Sequence, residues 1–256
     1  MILALDIGNT NIVFGGMEDG ETKYSFCLSS DLSRTVDEYA AILSFSAAAR
    51  GADMQHIDGA VICSVVPQLT GTMVEAIRRL SGKTPLVVGP GVKTGLNIRI
   101  DEPGELGSDF VAAAVAALHE GKLPCVTIDM GTAIGIGVLD AEGHYIGGAI
   151  CPGLAVSVSA LARNTAQLPK VALQAPGSVI GKSTTDGMRS GLFYGTAAML
   201  DGLVDRIESE LGQSVHVLAT GDLAPAITPL CRRSMEVDED LIMRGLWLIW
   251  QRNKRG

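Results

Sequence analysis

Short apolar runs that stop at polar or glycine-rich turns recur along the chain, and they predict a mixed α/β protein. Near the start, MILALDI and NIVFGGM predict two strands separated by a turn at Gly8-Asn9-Thr10. A third strand, TKYSFCLS, is predicted after the turn Glu18-Asp19-Gly20. This order predicts a meander of three antiparallel strands.

Helical and strand patterns alternate after this meander. The segment TVDEYAAILSFSAAARG predicts a helix in which Thr35 is the N-cap, Glu38 completes a capping box, and Gly51 marks the end. The other elements predicted in the first half are a strand at 59–67 that stops at a proline, a helix at 70–82, a strand at 85–89, and a helix at 107–121 with Ser108 as its N-cap.

The second half of the chain repeats this order. Its predicted elements are strands at 125–131, 133–140 and 144–150, a long helix within 183–212, a strand at 214–222 and a closing amphipathic helix at 238–253. Because both halves carry an apolar strand that runs into Asp-x-Gly, an internal duplication is the economical explanation. We expect two domains, residues 1–117 and 118–256, which meet near 117–124.

The two strand-ending turns, LALDIGNTN and VTIDMGTAI, have a chemistry that suits phosphates. A glycine beside the aspartate lets backbone N–H groups approach an anion, and the carboxylate can hold Mg²⁺ directly or through water. Each turn alone also fits an ordinary hairpin, since Gly and Asn tolerate a positive φ. Their presence at matching places in both halves favours two loops that grip one nucleotide.

Composition narrows the class of protein. The chain has 256 residues, of which 47% are hydrophobic, and its formal net charge of −8 argues against binding nucleic acid or an anionic membrane. Neither a secretory signal nor an apolar run of the roughly 20 residues that cross a bilayer is recognisable. Five scattered cysteines predict reduced thiols in a cytoplasmic protein. The mean hydropathy of +0.30 favours an apolar surface covered by a partner subunit, although crowded small residues also explain it.

Several stretches together resemble the type III pantothenate kinases, within the superfamily of actin, hexokinase and Hsp70. The stretches that carry the resemblance include LALDIGNTNIVFG, SVVPQLT, VGPGVKTGLNI, IDMGTA and VIGKSTTDGMRSGLFYG. The resemblance implies an α/β fold of two ribonuclease-H-like domains with mixed five-stranded sheets and a ligand cleft between them. It also implies ATP-dependent phosphorylation of pantothenate to 4'-phosphopantothenate, the first step of coenzyme A biosynthesis, by a homodimer.

The resemblance further implies roles for individual residues. Asp109 would be the general base that takes the proton from the primary hydroxyl of pantothenate; from the residues alone, an aspartate after a serine N-cap more simply complements the helix dipole. Asp129 would help bind a monovalent cation, K⁺ or NH₄⁺, and Asp6 would lie near Mg²⁺. The residues implied to bind ATP are Asp6, Ile7, Gly8, Asn9, Thr10, Asn11, Ile12, Val13 and Thr132. The residues implied to bind the substrate are Gly107, Ser108, Asp109, Phe110 and Thr184, the last from the same or the partner subunit.

Three departures from the family pattern fall in the expected active cleft. Phe110 stands where the family has arginine, Ile134 and Gly135 stand for two threonines, and Asp222 stands for a glycine. Phenylalanine cannot replace the charge or the hydrogen bonds of arginine. Two alternatives therefore stay open: a kinase for another small hydroxylated substrate, and a catalytically altered or inactive paralogue that acts as a binding or regulatory protein.

Overall fold

The computed structural model describes residues 1–254, and the chain divides into two compact units. The first unit contains Met1–Asn97, Asp101–Glu120 and the chain from Asp240 onward, and the second contains Ile98–Ile100 and Gly121–Glu239. The chain thus passes into the second unit after Glu120, whereas the sequence places a boundary after residue 117. The closing helix, which the sequence assigns to the second half, belongs to the first unit.

A mixed sheet forms the centre of the first unit. Its strands are β1 (Ile2–Ile7), β2 (Asn11–Glu18), β3 (Glu21–Ser29), β4 (Gly59–Ser64) and β5 (Leu86–Val87), in the order β3-β2-β1-β4-β5. The central strand β1 runs antiparallel to β2 and parallel to β4. The predicted meander is confirmed, and its second turn has positive φ at Asp19 (52°) and Gly20 (85°), as a tight hairpin requires.

The helices of the first unit are α1 (Val36–Ala48), α2 (Pro67–Ser81), α3 (Ser108–Glu120) and, from the end of the chain, α7 (Leu241–Asn253). The capping box of α1 is confirmed: the Glu38 N–H donates to Thr35 Oγ1 at 3.3 Å, and the Thr35 N–H donates to the Glu38 carboxylate at 2.7 Å. The end predicted for the fourth strand is wrong. It stops at Ser64, because Pro67 opens α2, where a missing N–H costs no hydrogen bond.

The N-cap predicted for α3 is also wrong. The Val111 N–H donates to the Gly107 carbonyl at 3.1 Å, so Gly107 occupies the cap position and Ser108 is the first helical residue. The Ser108 hydroxyl instead bonds the backbone of Ser64 at the end of β4. It accepts from the Ser64 N–H at 2.8 Å and donates to the Ser64 carbonyl at 3.2 Å. These bonds fix the start of α3 against the end of β4.

Helix α7 packs closely on α3. A Cβ built on Gly245 would lie 1.9 Å from the carbonyl oxygen of Ala112, so the two helix backbones approach within a distance that only glycine permits. At its end, the Asn253 amide accepts from the Lys93 N–H at 3.2 Å and donates to the Lys93 carbonyl at 2.9 Å, and Arg252 donates to the Thr94 carbonyl. The last turn of α7 thereby holds the loop that follows β5.

The second unit repeats the topology of the first. Its elements are β7 (Cys125–Met130), β8 (Ala133–Leu139), β9 (His144–Pro152), α4 (Leu154–Asn164), α5 (Thr184–Leu211), β10 (His216–Thr220), α6 (Ala224–Ile227) and β11 (Glu236–Val237), together with the short β6 (Asn97–Ile98), which begins at the last residue of the first unit's opening segment. The sheet order is β11-β10-β7-β8-β9-β6, and β7 is antiparallel to β8 and parallel to β10. The expected duplication is confirmed in this order, but the sheet has six strands, because the short β6 extends its edge.

Each unit has its own hydrophobic core. In the first unit the core lies between the sheet and α1 and α2, around Leu3, Phe14, Tyr39 and Leu43. In the second unit the core joins β7, β8 and β10 to α5. Within residues 1–254, every helix is either too short or too polar to cross a membrane.

The contact between α3 and α7 predicts a large effect of one methyl group. We expect Gly245→Ala to lower the free energy of unfolding by about 1–3 kcal/mol, because the added Cβ overlaps the backbone of α3. The matched control is Gly71→Ala in α2, where a Cβ meets nothing within 4 Å and helix propensity predicts a gain of up to about 1 kcal/mol. Urea denaturation measures both, and equal effects of the two variants would contradict the contact.

Candidate active site

The carboxylate of Asp6 lies at the end of β1, beside the last residues of β4. The parallel register places Asp6 directly opposite Cys63, and the Cys63 thiol donates a hydrogen bond to Asp6 Oδ1 at 3.2 Å. The Cys63 side chain is fully buried, whereas Asp6 is partly buried. The alternation of the strand therefore places the Asp6 carboxylate on the opposite face of the sheet from Leu3, Leu5 and Ile7.

The environment of Asp6 disfavours its charged form. Burial raises the pKa of the Asp6 carboxyl to about 6, the hydrogen bond from Cys63 opposes this rise, and the charge of Asp109 adds to it. Burial also raises the pKa of the Cys63 thiol well above its usual value, and the nearby carboxylates act in the same direction. Cys63 is consequently a protonated hydrogen-bond donor at neutral pH and a poor nucleophile.

Asp109 lies in the first turn of α3, near Asp6. The backbone N–H of Phe110 donates to Asp109 Oδ1 at 2.9 Å, and the neighbouring Ser108 is tied to the end of β4. Burial raises the pKa of the Asp109 carboxyl, while the hydrogen bond from Phe110 lowers it. A Cβ at Gly107 would lie 2.3 Å from Asp109 Oδ1, so any larger residue there would displace the carboxylate from this position.

The loop between β1 and β2 is ordered by its own backbone. The Gly8 N–H donates to the Asn11 carbonyl at 2.9 Å, and the Ser30 hydroxyl donates to the Gly8 carbonyl at 2.5 Å. Asn9 and Thr10 are exposed at the tip. Of the eight residues expected to contact ATP in this loop, Ile7 and Ile12 have side chains that are fully buried in the core, so only their backbone can reach a ligand.

The first unit thus brings together two carboxylates and a short glycine loop. Carboxylate oxygens are the ligands that a hard divalent cation prefers, and the donor chemistry of Asp6 and Asp109 fits such an ion. Buried acids with raised pKa values are also suited to accept a proton at neutral pH. Phosphate binding with proton removal from a hydroxyl is the chemistry that this group of residues supports.

The second unit carries an aspartate, Asp129, at the position on β7 that corresponds to Asp6 on β1. Asp129 is the penultimate residue of β7, as Asp6 is of β1, and it pairs with Gly135 on β8 and Thr220 on β10. Two glycines pack against this turn. Gly221 has a φ of +91°, and a Cβ there would lie 2.6 Å from Asp129 Oδ1; a Cβ at Gly153 would lie 2.4 Å from the Thr132 carbonyl oxygen.

The departures from the expected motif occupy different environments. Ile134 is buried in the core of the second unit, so its side chain fills the interior rather than the loop surface. Gly135 lies opposite Asp129 in the register of β7 and β8 and presents no side chain there. Asp222 is exposed after the turn at Gly221, and Phe110 is partly buried next to Asp109.

Thr184 lies in the second unit, at the first turn of α5. It lines a groove of about 520 Å³ between α4 and α5, together with Leu161, Leu168, Met188 and Leu192. This groove is largely apolar. The residues that line it do not include those of the turn after Asp129. The sequence resemblance indicated Thr184, but the apolar groove around it had no sequence signal of its own.

Sequence reasoning missed the contribution of β4 to the site. Cys63 and Ser64 contact Asp6 and Ser108, respectively, yet they lie in an ordinary apolar strand pattern. Only the strand register reveals their neighbours. The one available signal was that two polar residues, Cys63 and Ser64, end an otherwise apolar run.

Comparisons with known proteins agree with this geometry. A family model described as type III pantothenate kinase matches residues 2–206. A type III pantothenate kinase of Pelobacter propionicus is 41% identical over 254 residues, which cover 99% of this chain and 100% of that protein.

Two solved structures show the same fold. A Campylobacter jejuni protein assigned to the Baf family of transcriptional activators has a TM-score of 0.64 at 20% identity, with 99% of this chain and 100% of that one covered. The Clostridium difficile activator of 2-hydroxyisocaproyl-CoA dehydratase, with bound ADPNP, has a TM-score of 0.55 at 14% identity, with 100% and 97% covered. At these identities the likeness concerns the fold alone, and it confirms the expected fold class.

The raised pKa of Asp6 predicts a pH-dependent cost in stability. The protonated acid is favoured in the folded state, so the stability that it contributes is complete below about pH 4 and is lost as the pH rises through about 6. We therefore expect Asp6→Asn, without nucleotide or metal, to raise the free energy of unfolding by about 1–3 kcal/mol at pH 8 and by much less at pH 4.5.

Urea denaturation at the two pH values measures this difference. The control is Asp101→Asn, because that side chain is exposed, and we expect it to change stability by less than about 0.5 kcal/mol at either pH. A gain for Asp6→Asn that is the same at both pH values would contradict the assigned burial of the charge.

Proposed function

The chain belongs to the type III pantothenate kinase family, and we propose that it transfers the γ-phosphoryl group of ATP to the primary hydroxyl of pantothenate. The product is 4'-phosphopantothenate, and the reaction opens coenzyme A biosynthesis. The observation that carries the proposal is that Asp6, at the end of β1, lies close enough to Asp109, at the start of α3, for the charge of Asp109 to raise its pKa, in a chain that matches this family almost from end to end.

Asp109 is the proposed general base. Its raised pKa makes it a better proton acceptor than an exposed aspartate, and its position in the first turn of α3 is fixed through Ser108. Phosphoryl transfer depends mostly on positioning and on stabilising charge, so a carboxylate of moderate basicity is sufficient to take the hydroxyl proton. Phe110 contributes its backbone N–H, which orients the carboxylate.

The loop Asp6–Val13 is the proposed contact for the phosphates of ATP. Its tip at Asn9 and Thr10 is exposed, and Gly8 places no side chain between the loop backbone and a ligand. Asp6 would hold Mg²⁺ through its carboxylate or through the phosphates. When bound, Mg²⁺ neutralises charge on the phosphate oxygens.

Two residues of the second unit complete the proposed roles. Asp129 is assigned to the monovalent cation, K⁺ or NH₄⁺, and Thr132 to the ATP phosphates. The support is the position of Asp129, which is equivalent to that of Asp6, and the close packing of Gly221 and Gly153 around this turn.

Gly107, Ser108 and Phe110, which are neighbours of Asp109 in the sequence, and Thr184 of the second unit are the proposed substrate-binding residues. Gly107 contributes by leaving space for the Asp109 carboxylate. The Ser108 hydroxyl is engaged with Ser64 and contributes by holding the helix rather than through a free hydroxyl. Thr184 offers an exposed hydroxyl at the start of α5.

We also propose that the protein works as a homodimer in the cytoplasm. Exposed apolar side chains on β9 and α4 support the dimer, among them Ile150 with 74% of its surface exposed and Val156 with 43%. The five cysteines are thiols rather than disulfides in the described residues, which suits a reducing compartment.

A kinase acting on a different small hydroxylated substrate is the second candidate. The observation that favours it is Phe110, which places an apolar ring beside the base where the family has a cation. Pantothenate carries a carboxylate that a cation at this position would attract, so an acceptor without a negative charge fits Phe110 better. An inactive binding protein is less well supported, because both carboxylates of the acidic pair are present.

The first test of the proposal replaces the base. We expect ADP release from MgATP to depend on pantothenate, and Asp109→Asn to lower kcat at least about 100-fold, while the Kd for MgATP changes by less than about threefold. Asp101→Asn is the control, with kcat near that of the parent. Substantial turnover in Asp109→Asn would refute the role of the base, and ADP release that ignores pantothenate would refute the substrate.

The second test concerns the acceptor. If pantothenate binds beside Phe110, we expect Phe110→Arg to lower its KM at least about threefold, because a guanidinium group attracts the substrate carboxylate. Phe110→Leu is the control and is expected to leave the KM nearly unchanged. Steady-state assays on pantothenate and on uncharged alcohols measure the difference, and an unchanged KM in Phe110→Arg would favour the second candidate.

A further inference from the structure

We propose that Cys63 and Ser108 are positioning residues that hold the two carboxylates of the site against the end of β4, Cys63 acting on Asp6 and Ser108 on Asp109. The proposal rests on the proposed function, since it assigns how the same site is held in place. Neither residue needs to touch a ligand or a reacting atom.

The contact of Cys63 with Asp6 has the features of a positioning bond. The thiol is fully buried and lies opposite Asp6 in the strand register, and its Sγ donates to Asp6 Oδ1 across 3.2 Å. Within the described residues, this thiol donates a side-chain hydrogen bond to the Asp6 carboxylate. A bond from a rigid strand selects one orientation of the carboxylate and leaves Oδ2 for a ligand.

The contact of Ser108 with Ser64 fixes the other carboxylate indirectly. One hydroxyl serves as acceptor for the Ser64 N–H and as donor to the Ser64 carbonyl, so both backbone groups of Ser64 are tied to the start of α3. Asp109 is the next residue of the helix. A shift of the helix start therefore moves the base directly, and the hydroxyl of Ser64, bonded to Thr70, anchors the same point to α2.

The second unit repeats this plan at the equivalent position. Thr220 pairs with Asp129 in the parallel register of β10 and β7, as Cys63 pairs with Asp6. Thr220 is buried, with 2% of its surface exposed. Both units therefore place a small residue with an S–H or O–H group beside the strand-ending aspartate. If this position only had to fill volume in the core, an aliphatic side chain would serve there.

Substitutions at Cys63 and Ser108 are expected to impair different properties, namely MgATP binding for Cys63 and turnover for Ser108. Cys63→Ala removes the donor to Asp6, and we expect the Kd for MgATP, measured by calorimetry without acceptor, to rise about tenfold. Cys63→Ser restores a donor, and we expect its Kd to lie within about twofold of the parent. Ser108→Ala frees the start of α3, and we expect kcat to fall at least about tenfold while the Kd for MgATP stays within about twofold.

Matched controls separate positioning from loss of packing. Cys125→Ala removes a thiol that is equally buried, at the far end of β7. Ser81→Ala removes a hydroxyl that donates to the Ile77 carbonyl at 2.8 Å and accepts from the Lys83 N–H at 3.2 Å, at the end of α2. Both controls are expected to keep the Kd and kcat of the parent.

One readout does not depend on catalysis. Crystal structures of the parent and of Cys63→Ala, both without ligand, are expected to show the Asp6 carboxylate in different rotamers. An unchanged Asp6 rotamer, or a Kd in Cys63→Ala equal to that of the parent, would overturn the role of Cys63. Equal Kd values for Cys63→Ser and Cys63→Ala would do the same, and a parent-like kcat in Ser108→Ala would overturn the role of Ser108.

Assays on the parent protein alone distinguish a failure of the proposed function from a failure of the positioning roles. If the parent binds MgATP but does not phosphorylate pantothenate, the substrate assignment fails, while the Kd and rotamer comparisons still decide the role of Cys63. If the parent turns over pantothenate and the variants behave as their controls do, the proposed function is supported and the positioning roles of Cys63 and Ser108 are refuted.

Discussion

The register of β1 against β4 is the constraint on which the candidate site depends. Side chains alternate across a strand, so a shift of one residue would turn Asp6 into the core that contains Leu5 and would move Leu5 to the opposite face of the sheet. The buried set Leu3, Leu5 and Ile7 prevents such a shift, since each would lose its place in the apolar core. The site is therefore specified by hydrophobic residues that take no part in its chemistry.

A partly buried acid beside a second acid is unfavourable for folding, and the fold compensates around it. The apolar strands, the close α3–α7 contact and the bonds between Ser64 and Ser108 hold Asp6 and Asp109 near each other despite their mutual repulsion. This is the arrangement expected where an acid is kept for binding or proton transfer rather than for stability. The second unit preserves the topology but surrounds Asp129 with tightly packed glycines instead.

Local signals made much of the fold predictable. The capping box at Thr35 and Glu38, the hairpin turn at Asp19-Gly20 and the duplicated strand order each depend on neighbours in sequence, and each is found in the structure. The errors arise where the deciding partner is distant. The sequence predicts Ser108 as an N-cap because serine favours that position. In the structure its hydroxyl instead forms hydrogen bonds with the backbone of Ser64, and no local sequence pattern indicates that contact. The same holds for Cys63, whose importance appears only once β1 and β4 are paired.

The place of α7 has a consequence for synthesis. Domains usually fold from the N-terminus as they leave the ribosome, but here the first unit lacks the helix that covers α3 until the whole second unit has been translated. The alanine-rich surface of α3 therefore stays uncovered until the last residues of the chain have been made. Nascent chains stalled before α7 would expose this apolar surface of α3 to chaperones and proteases.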